Sequence, residues 1–147
     1  LGGRDGTADL RVVVTHLGLT PQERRIQAGR LIEALVDPSA EGGASAVAAP
    51  PTVMLGDFNL VRRQTRASRL LEEHFPNCVS EPTYPSRSPQ LALDRIYLTD
   101  HWRVETFHVL QTGLAKIASD HLPLIAQVRL SAQADAEDAV AEGVIGS

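Results

Sequence analysis

Six side chains in this sequence, His16, Asp57, Asn59, Asp94, Asp120 and His121, are of types that do chemistry, and each stands at the edge of an apolar run. His16 follows Leu10-Arg11-Val12-Val13-Val14-Thr15. Asp57 and Asn59 close the stretch Pro51-Thr52-Val53-Met54-Leu55-Gly56-Asp57-Phe58-Asn59. Asp94 lies in Leu93-Asp94-Arg95-Ile96, and Ser119-Asp120-His121 precedes a run from Leu122 to Leu130. Carboxylates hold hard cations and orient water, an amide donates to a phosphoryl oxygen, and histidines exchange protons near neutral pH. Those are the tasks of phosphate-ester hydrolysis. Taken singly, each residue has an ordinary explanation: Asp57 ends a strand in a turn, Asp94 pairs with Arg95 on the surface, His16 is a satisfied core histidine, and Asp120 caps a backbone amide. Four strand-associated polar stops in one chain argue instead for a common site.

The elements that must position these groups follow from local pattern. Leu10 to Thr15 is rich in β-branched residues and reads as a strand. Thr20-Pro21-Gln22-Glu23 has capping-box spacing with proline in the first turn, so a helix starts there. Ala28, Leu31, Ile32, Leu35 and Val36 repeat at helical spacing and give it one face to lay on a sheet, while Arg24, Arg25, Arg30 and Glu33 fall largely on the solvated side. Residues 37–50 carry no periodicity and read as a surface loop. Val53 to Asp57 is a buried strand, and Gly56 lets its end turn. Next comes Arg62-Arg63-Gln64-Thr65-Arg66-Ala67-Ser68-Arg69, four arginines in eight residues. They form either a rim for an anionic substrate or the solvated start of a short helix packed through Leu70, Leu71 and Phe75. Residues 76–93 read as one long, proline-stiffened loop leading to Asp94. Arg95 to Leu98, Val104 to Leu110 and Leu122 to Leu130 read as strands, with Pro123 tolerated at the start of the last.

With 147 residues and 43% apolar content, the chain fits one domain with a core. Aromatic residues make up 4%, too few for a base-stacking platform. The net charge of −4 rests on Asp135, Glu137, Asp138 and Glu142, because residues 1–130 hold 14 acids and 14 bases. Charge therefore selects no partner. Residues 131–147 are small, acidic and lack aromatics, which predicts a disordered tail after a domain over 1–130. The lone Cys78 excludes an internal disulfide and a thiolate metal cluster, and reads as a small buried hydrophobe. No transmembrane run and no signal peptide are legible, so a cytoplasmic location is expected. The chain begins without methionine, as a piece of a longer protein would.

In this order and spacing, Thr15-His16-Leu17, Gly56-Asp57-Phe58-Asn59, Leu93-Asp94-Arg95-Ile96 and Ser119-Asp120-His121 resemble the endonuclease/exonuclease/phosphatase superfamily, over about residues 10–130. Thr83-Tyr84-Pro85-Ser86 followed by Leu93-Asp94-Arg95-Ile96 resembles its broad phosphodiesterase branch more than its abasic-site nucleases. The resemblance implies an α/β fold, half of a four-layered α/β sandwich with a mixed sheet and flanking helices. It implies a phosphate-ester substrate and a magnesium ion, or manganese in its place, with Asp120 as a metal ligand. Asp57 would orient the attacking water and Asn59 would donate to the phosphoryl oxygen. His121 would act at the phosphate with Asp94 fixing its tautomer, and His16 would also reach the phosphate.

One departure accompanies the match. Family members carry, in a first half, an asparagine and a metal-binding glutamate, and neither Glu23 nor Glu33 occupies that glutamate's position. The chain is therefore expected to be a carboxyl-terminal half with an incomplete metal site, inactive alone and prone to associate through uncovered apolar residues beside Val12, Val53 and Ile125. Two other functions stay open: a DNA or RNA endonuclease of the same superfamily, with nucleic acid the less favoured partner, and a non-catalytic fragment that binds a partner through its exposed sheet.

Overall fold

The computed structural model describes residues 10–35, 50–62 and 64–131. The loop expected over 37–50 and the tail expected over 131–147 fall outside the described residues, apart from Pro50 and Ser131. The described chain runs β1 (Arg11–His16), α1 (Pro21–Leu35), β2 (Thr52–Asp57), α2 (Arg66–His74), β3 (Asn77–Val79), β4 (Asp94–Leu98), β5 (Trp102–Val109), α3 (Gly113–Ala118) and β6 (Leu124–Leu130). Four strands form a mixed sheet in the order β1-β2-β4-β3, with β1 parallel to β2 and the other pairs antiparallel. β5 and β6 form a separate antiparallel ribbon. Among the described residues no helix is long and apolar enough to cross a membrane.

Two elements depart from the sequence reading. β3 lies inside the expected loop over 76–93; its three residues are too few to show periodicity and gain their pairing from β4. α3 is six residues long and starts from Thr112, whose hydroxyl accepts from the Ala115 amide at 3.1 Å. Cys78, expected to be buried, is exposed on β3. Arg24 is half-buried rather than solvated, its Nη1 donating to the carbonyls of Gly18 and Leu19 at 3.3 and 2.5 Å.

The helix starts are chemical. At α1 the Thr20 amide donates to Glu23 Oε2 at 2.9 Å and the Glu23 amide donates to Thr20 Oγ1 at 3.2 Å, a reciprocal capping box. The Thr20 backbone and hydroxyl hold the Glu23 carboxyl below its usual range. At α2 Thr65 and Ser68 repeat the arrangement, each amide bonded to the other's hydroxyl at 3.0 Å.

Strand alternation decides where the core sits. One sheet face presents Val13, Met54 and Tyr97 to α1 and α2, where they join Ala28, Ile32, Phe58, Leu60, Ala67, Leu71 and Phe75. Tyr97 packs edge-on between Phe58 and Phe75, at ring separations of 4.9 and 6.3 Å. The other face carries Val12 and Val14 of β1, aligned with Val53 and Leu55 of β2. Val12 and Val14 are 57% and 75% exposed, Ile125 is exposed, and Val53 is half-buried, so the uncovered surface is centred on β1.

Gly56 sets the path of β2 at its end. Its φ is +144°, and a Cβ there would lie 1.8 Å from the carbonyl oxygen of Thr15, its register partner on β1. Gly56→Ala should therefore lower stability by more than about 1 kcal/mol, since alanine neither adopts that φ readily nor fits against β1. Chemical denaturation checks this; an unchanged midpoint would show that β1 and β2 do not meet as described.

Candidate active site

Register brings three of the six residues into one row. His16 ends β1 opposite Asp57, and Asp57 ends β2 opposite Asp94, the first residue of β4. Directly paired residues project to the same side, so all three leave the sheet on the face that carries Val12 and Val14. Arg95 follows Asp94 and projects to the opposite face, where it is buried at 4% exposure. No surface ion pair joins Asp94 to Arg95. The Arg95 Nη2 instead donates to the Leu60 carbonyl at 2.9 Å and holds the segment just beyond Asn59.

Asn59 is fixed from several directions. Its φ is +51°, a left-handed conformation that asparagine tolerates. Its amide donates to Asp57 Oδ1 at 2.8 Å, and its Nδ2 donates to the Leu17 carbonyl at 2.8 Å. That same Nδ2 lies 3.4 Å from His16 Nε2, while His16 Nδ1 is 4.0 Å from Asp57 Oδ2. A histidine accepting at Nε2 carries its proton on Nδ1, on the Asp57 side. His16, Asp57 and Asn59 thus form one cluster at the ends of β1 and β2.

Asp94 organises the second cluster. The Nδ1–H of His121 donates to Asp94 Oδ2 at 2.7 Å, and the Thr83 hydroxyl donates to the same oxygen. Tyr84 packs on the His121 ring at 4.9 Å. Burial alone would lower the His121 pKa, but the hydrogen bond and charge of Asp94, reinforced by Asp57 and Asp120, outweigh it and raise the value above the ordinary histidine range. Asp57 and Asp94, paired across β2 and β4, tie the two clusters together.

The loop bearing His121 is stitched to the segment Thr83-Tyr84-Pro85-Ser86. The Leu122 amide donates to the Thr83 carbonyl at 3.0 Å, the Ser86 amide to the Asp120 carbonyl at 2.7 Å, and the Ser86 hydroxyl to the Lys116 carbonyl at 3.2 Å. Within the loop the His121 amide donates to Ser119 Oγ at 3.1 Å. Thr83, Tyr84, Ser86 and Arg95 are the supporting residues that sequence reasoning assigned no role. The first three were visible as a motif, and Arg95 as a charge at an inward strand position.

Asp120 stands apart as an exposed carboxylate. Its oxygens suit a hard cation such as magnesium, but among the described residues no three His, Cys, Asp or Glu side chains are grouped to hold a metal. The described residues do not make a metal site by themselves.

The endonuclease/exonuclease/phosphatase family model matches residues 4–121, four-fifths of the chain and all six of these side chains. The chain belongs to the endonuclease/exonuclease/phosphatase family. Solved structures agree on the fold, with its mixed sheet and flanking helices. A conserved protein of unknown function from Enterococcus faecalis V583 is 22% identical with a TM-score of 0.64, covering 82% of this chain and 50% of its own. The mannosyl-6-phosphatase Bt3783 of Bacteroides thetaiotaomicron is 15% identical at a TM-score of 0.62, covering 81% of this chain and 51% of its own. An endonuclease/exonuclease/phosphatase protein from Bacteroides vulgatus is 19% identical at a TM-score of 0.59, covering 79% and 48%. This member of the family therefore spans about half the length of the solved structures it matches. No curated protein matches it.

Because the fold favours the His121 imidazolium, that contribution to stability is full below the ordinary histidine pKa of about 6.5 and is lost as pH rises through the higher folded value. In chelator-treated protein, Asp94→Asn should lower the His121 titration midpoint and remove this pH-dependent contribution. Ring-proton NMR across the titration checks it; a midpoint unmoved by the substitution would mean that Asp94 does not set the charge of His121.

Proposed function

We propose that this chain supplies the general acid–base half of a divalent-cation-dependent phosphoesterase that cleaves its substrate by in-line attack of water. The observation that carries the reading is the row His16, Asp57 and Asp94 on one sheet face, with His121 held against Asp94. Asp57 accepts the proton of the attacking water as that water's oxygen bonds to phosphorus, while the ester P–O bond opposite it breaks and the leaving oxygen takes a proton from solvent. A protonated His121 donates to the phosphoryl oxygens, where negative charge builds in the transition state, and the Asn59 Nδ2 proton that faces His16 Nε2 in the free protein turns to them when the ester binds. Asp94 keeps the His121 proton on Nδ1 and favours the charged ring, leaving Nε2–H to face the phosphate. His16, oriented by Asn59, lines the same phosphate from the β1 side.

Asp120 offers one carboxylate for magnesium, and the remaining ligands come from outside the described residues. The other half of the enzyme is then needed twice, to complete that ligand set and to cover Leu10, Val12 and Val14, which leave apolar area wet at a cost of about 25 cal/mol per Å². The relation of fold to a mannosyl-6-phosphatase supports phosphate esters of small molecules as substrates.

In the full-length enzyme His121→Ala or Asp57→Ala should each reduce turnover of a chromogenic phosphate ester by roughly 10²–10⁴-fold. Near-wild-type rates with excess magnesium would remove the corresponding role. Residues 1–147 expressed alone should associate on sedimentation and hydrolyse the same ester negligibly. An active, monodisperse monomer would show that the chain needs no further half.

A further inference from the structure

Two arginine groups that are distant in sequence meet in the fold. Arg24 and Arg25, in the first turns of α1, and Arg62 and Arg66, before and at the start of α2, line one groove of about 650 Å³ whose wall includes Val61 and Thr65. The groove contains none of the six site residues. Among the described residues no aspartate or glutamate lines it. Arg24 is committed to the carbonyls of Gly18 and Leu19 and is held in place by them. Arg25, Arg62 and Arg66 are exposed and form no ion pair with any described carboxylate. Like charges brought together without counter-charge repel, and an anion seated among them relieves that repulsion. An outer helix face that is merely solvated carries no such convergence of one sign from two helices around a cavity.

The groove and the cleft share the segment from Asn59 to Val61. The Val61 amide donates to the Asn59 carbonyl at 3.2 Å, and Arg95 fixes the Leu60 carbonyl from below. With about 3.8 Å between successive Cα atoms, Val61 lies within about 8 Å of Asn59. A volume of this size suits a small molecule. Among the described residues no aromatic side chain lines it, so they offer no surface on which a nucleic-acid base could stack.

We infer that this groove binds a second anionic group of the substrate, so that the enzyme acts on compact phosphate esters carrying at least one further phosphate. The inference rests on the phosphoesterase reading for the adjoining cleft. Guanidinium pairs engage phosphate oxygens in a bidentate manner, and Arg25, Arg62 and Arg66 supply that fork from both sides of the groove.

The test uses the full-length protein and inositol hexakisphosphate as a compact polyanionic probe, titrated calorimetrically at about 0.15 M salt to screen unspecific attraction. Arg25→Gln/Arg66→Gln alters exposed side chains outside the catalytic row. It should weaken probe binding about tenfold or more, while turnover of bis(4-nitrophenyl) phosphate, which has no second phosphate, stays within about twofold. Unchanged probe affinity in the double variant overturns the inference. So does a single-stranded oligodeoxynucleotide of about 20 nucleotides that binds more tightly than the probe through the same arginines. If neither protein turns over the ester yet probe binding still depends on the arginines, the groove stands and the hydrolytic reading of the cleft falls.

Discussion

A single carboxylate oxygen, Oδ2 of Asp94, accepts both the imidazole of His121 and the hydroxyl of Thr83, and three otherwise independent pieces of chain meet there. Asp94 belongs to the sheet through its pairing with Asp57. Thr83 belongs to the long connection before β4, and His121 to the loop between α3 and β6. Asp94 is half-buried between these two donors, and its hydrogen bond and charge favour the protonated imidazole beside it. Without this meeting point the sheet would still form, but the two halves of the site would have no common reference.

The sheet contributes the other constraint. Because side chains alternate, the register that sends Met54 and Tyr97 into the core sends Val53, Leu55 and Asp57 to the opposite face. Chemistry and uncovered apolar surface therefore share a face by necessity: His16 is the next outward position after Val12 and Val14. The chain spans about half the length of the solved structures it matches.

Much of this was legible in the residues, for identifiable reasons. The capping box at Thr20 and Glu23 is a local interaction and formed as read, and β-branched runs gave β1 and β2. The six candidate residues could be found because each stands at the edge of an apolar run, and the fold brings His16, Asp57 and Asn59 into one cluster and Asp94 and His121 into a second. What the sequence hid was long-range. β3 exists only through its partner, and Thr83 is indistinguishable from other loop threonines until the loop closes on Asp94. Arg24 and Arg25 read as solvent-facing because nothing in their own helix reveals that Arg62 and Arg66 arrive beside them. The buried position of Arg95 follows from strand geometry, since neighbouring residues on a strand face apart.

The stitching of Thr83 and Ser86 to the loop from Lys116 to Leu122 has an evolutionary consequence. Asp57 and His16 sit where backbone ladders hold them, and changing their spacing would break the sheet. His121 is placed by a handful of bonds between two loops, which can lengthen, shorten or drift without disturbing that ladder. The site has one bank fixed by the sheet ladder and one held by contacts between loops. A lineage could refit the cleft to esters of different bulk by editing the second bank alone, leaving the folding information of the first untouched.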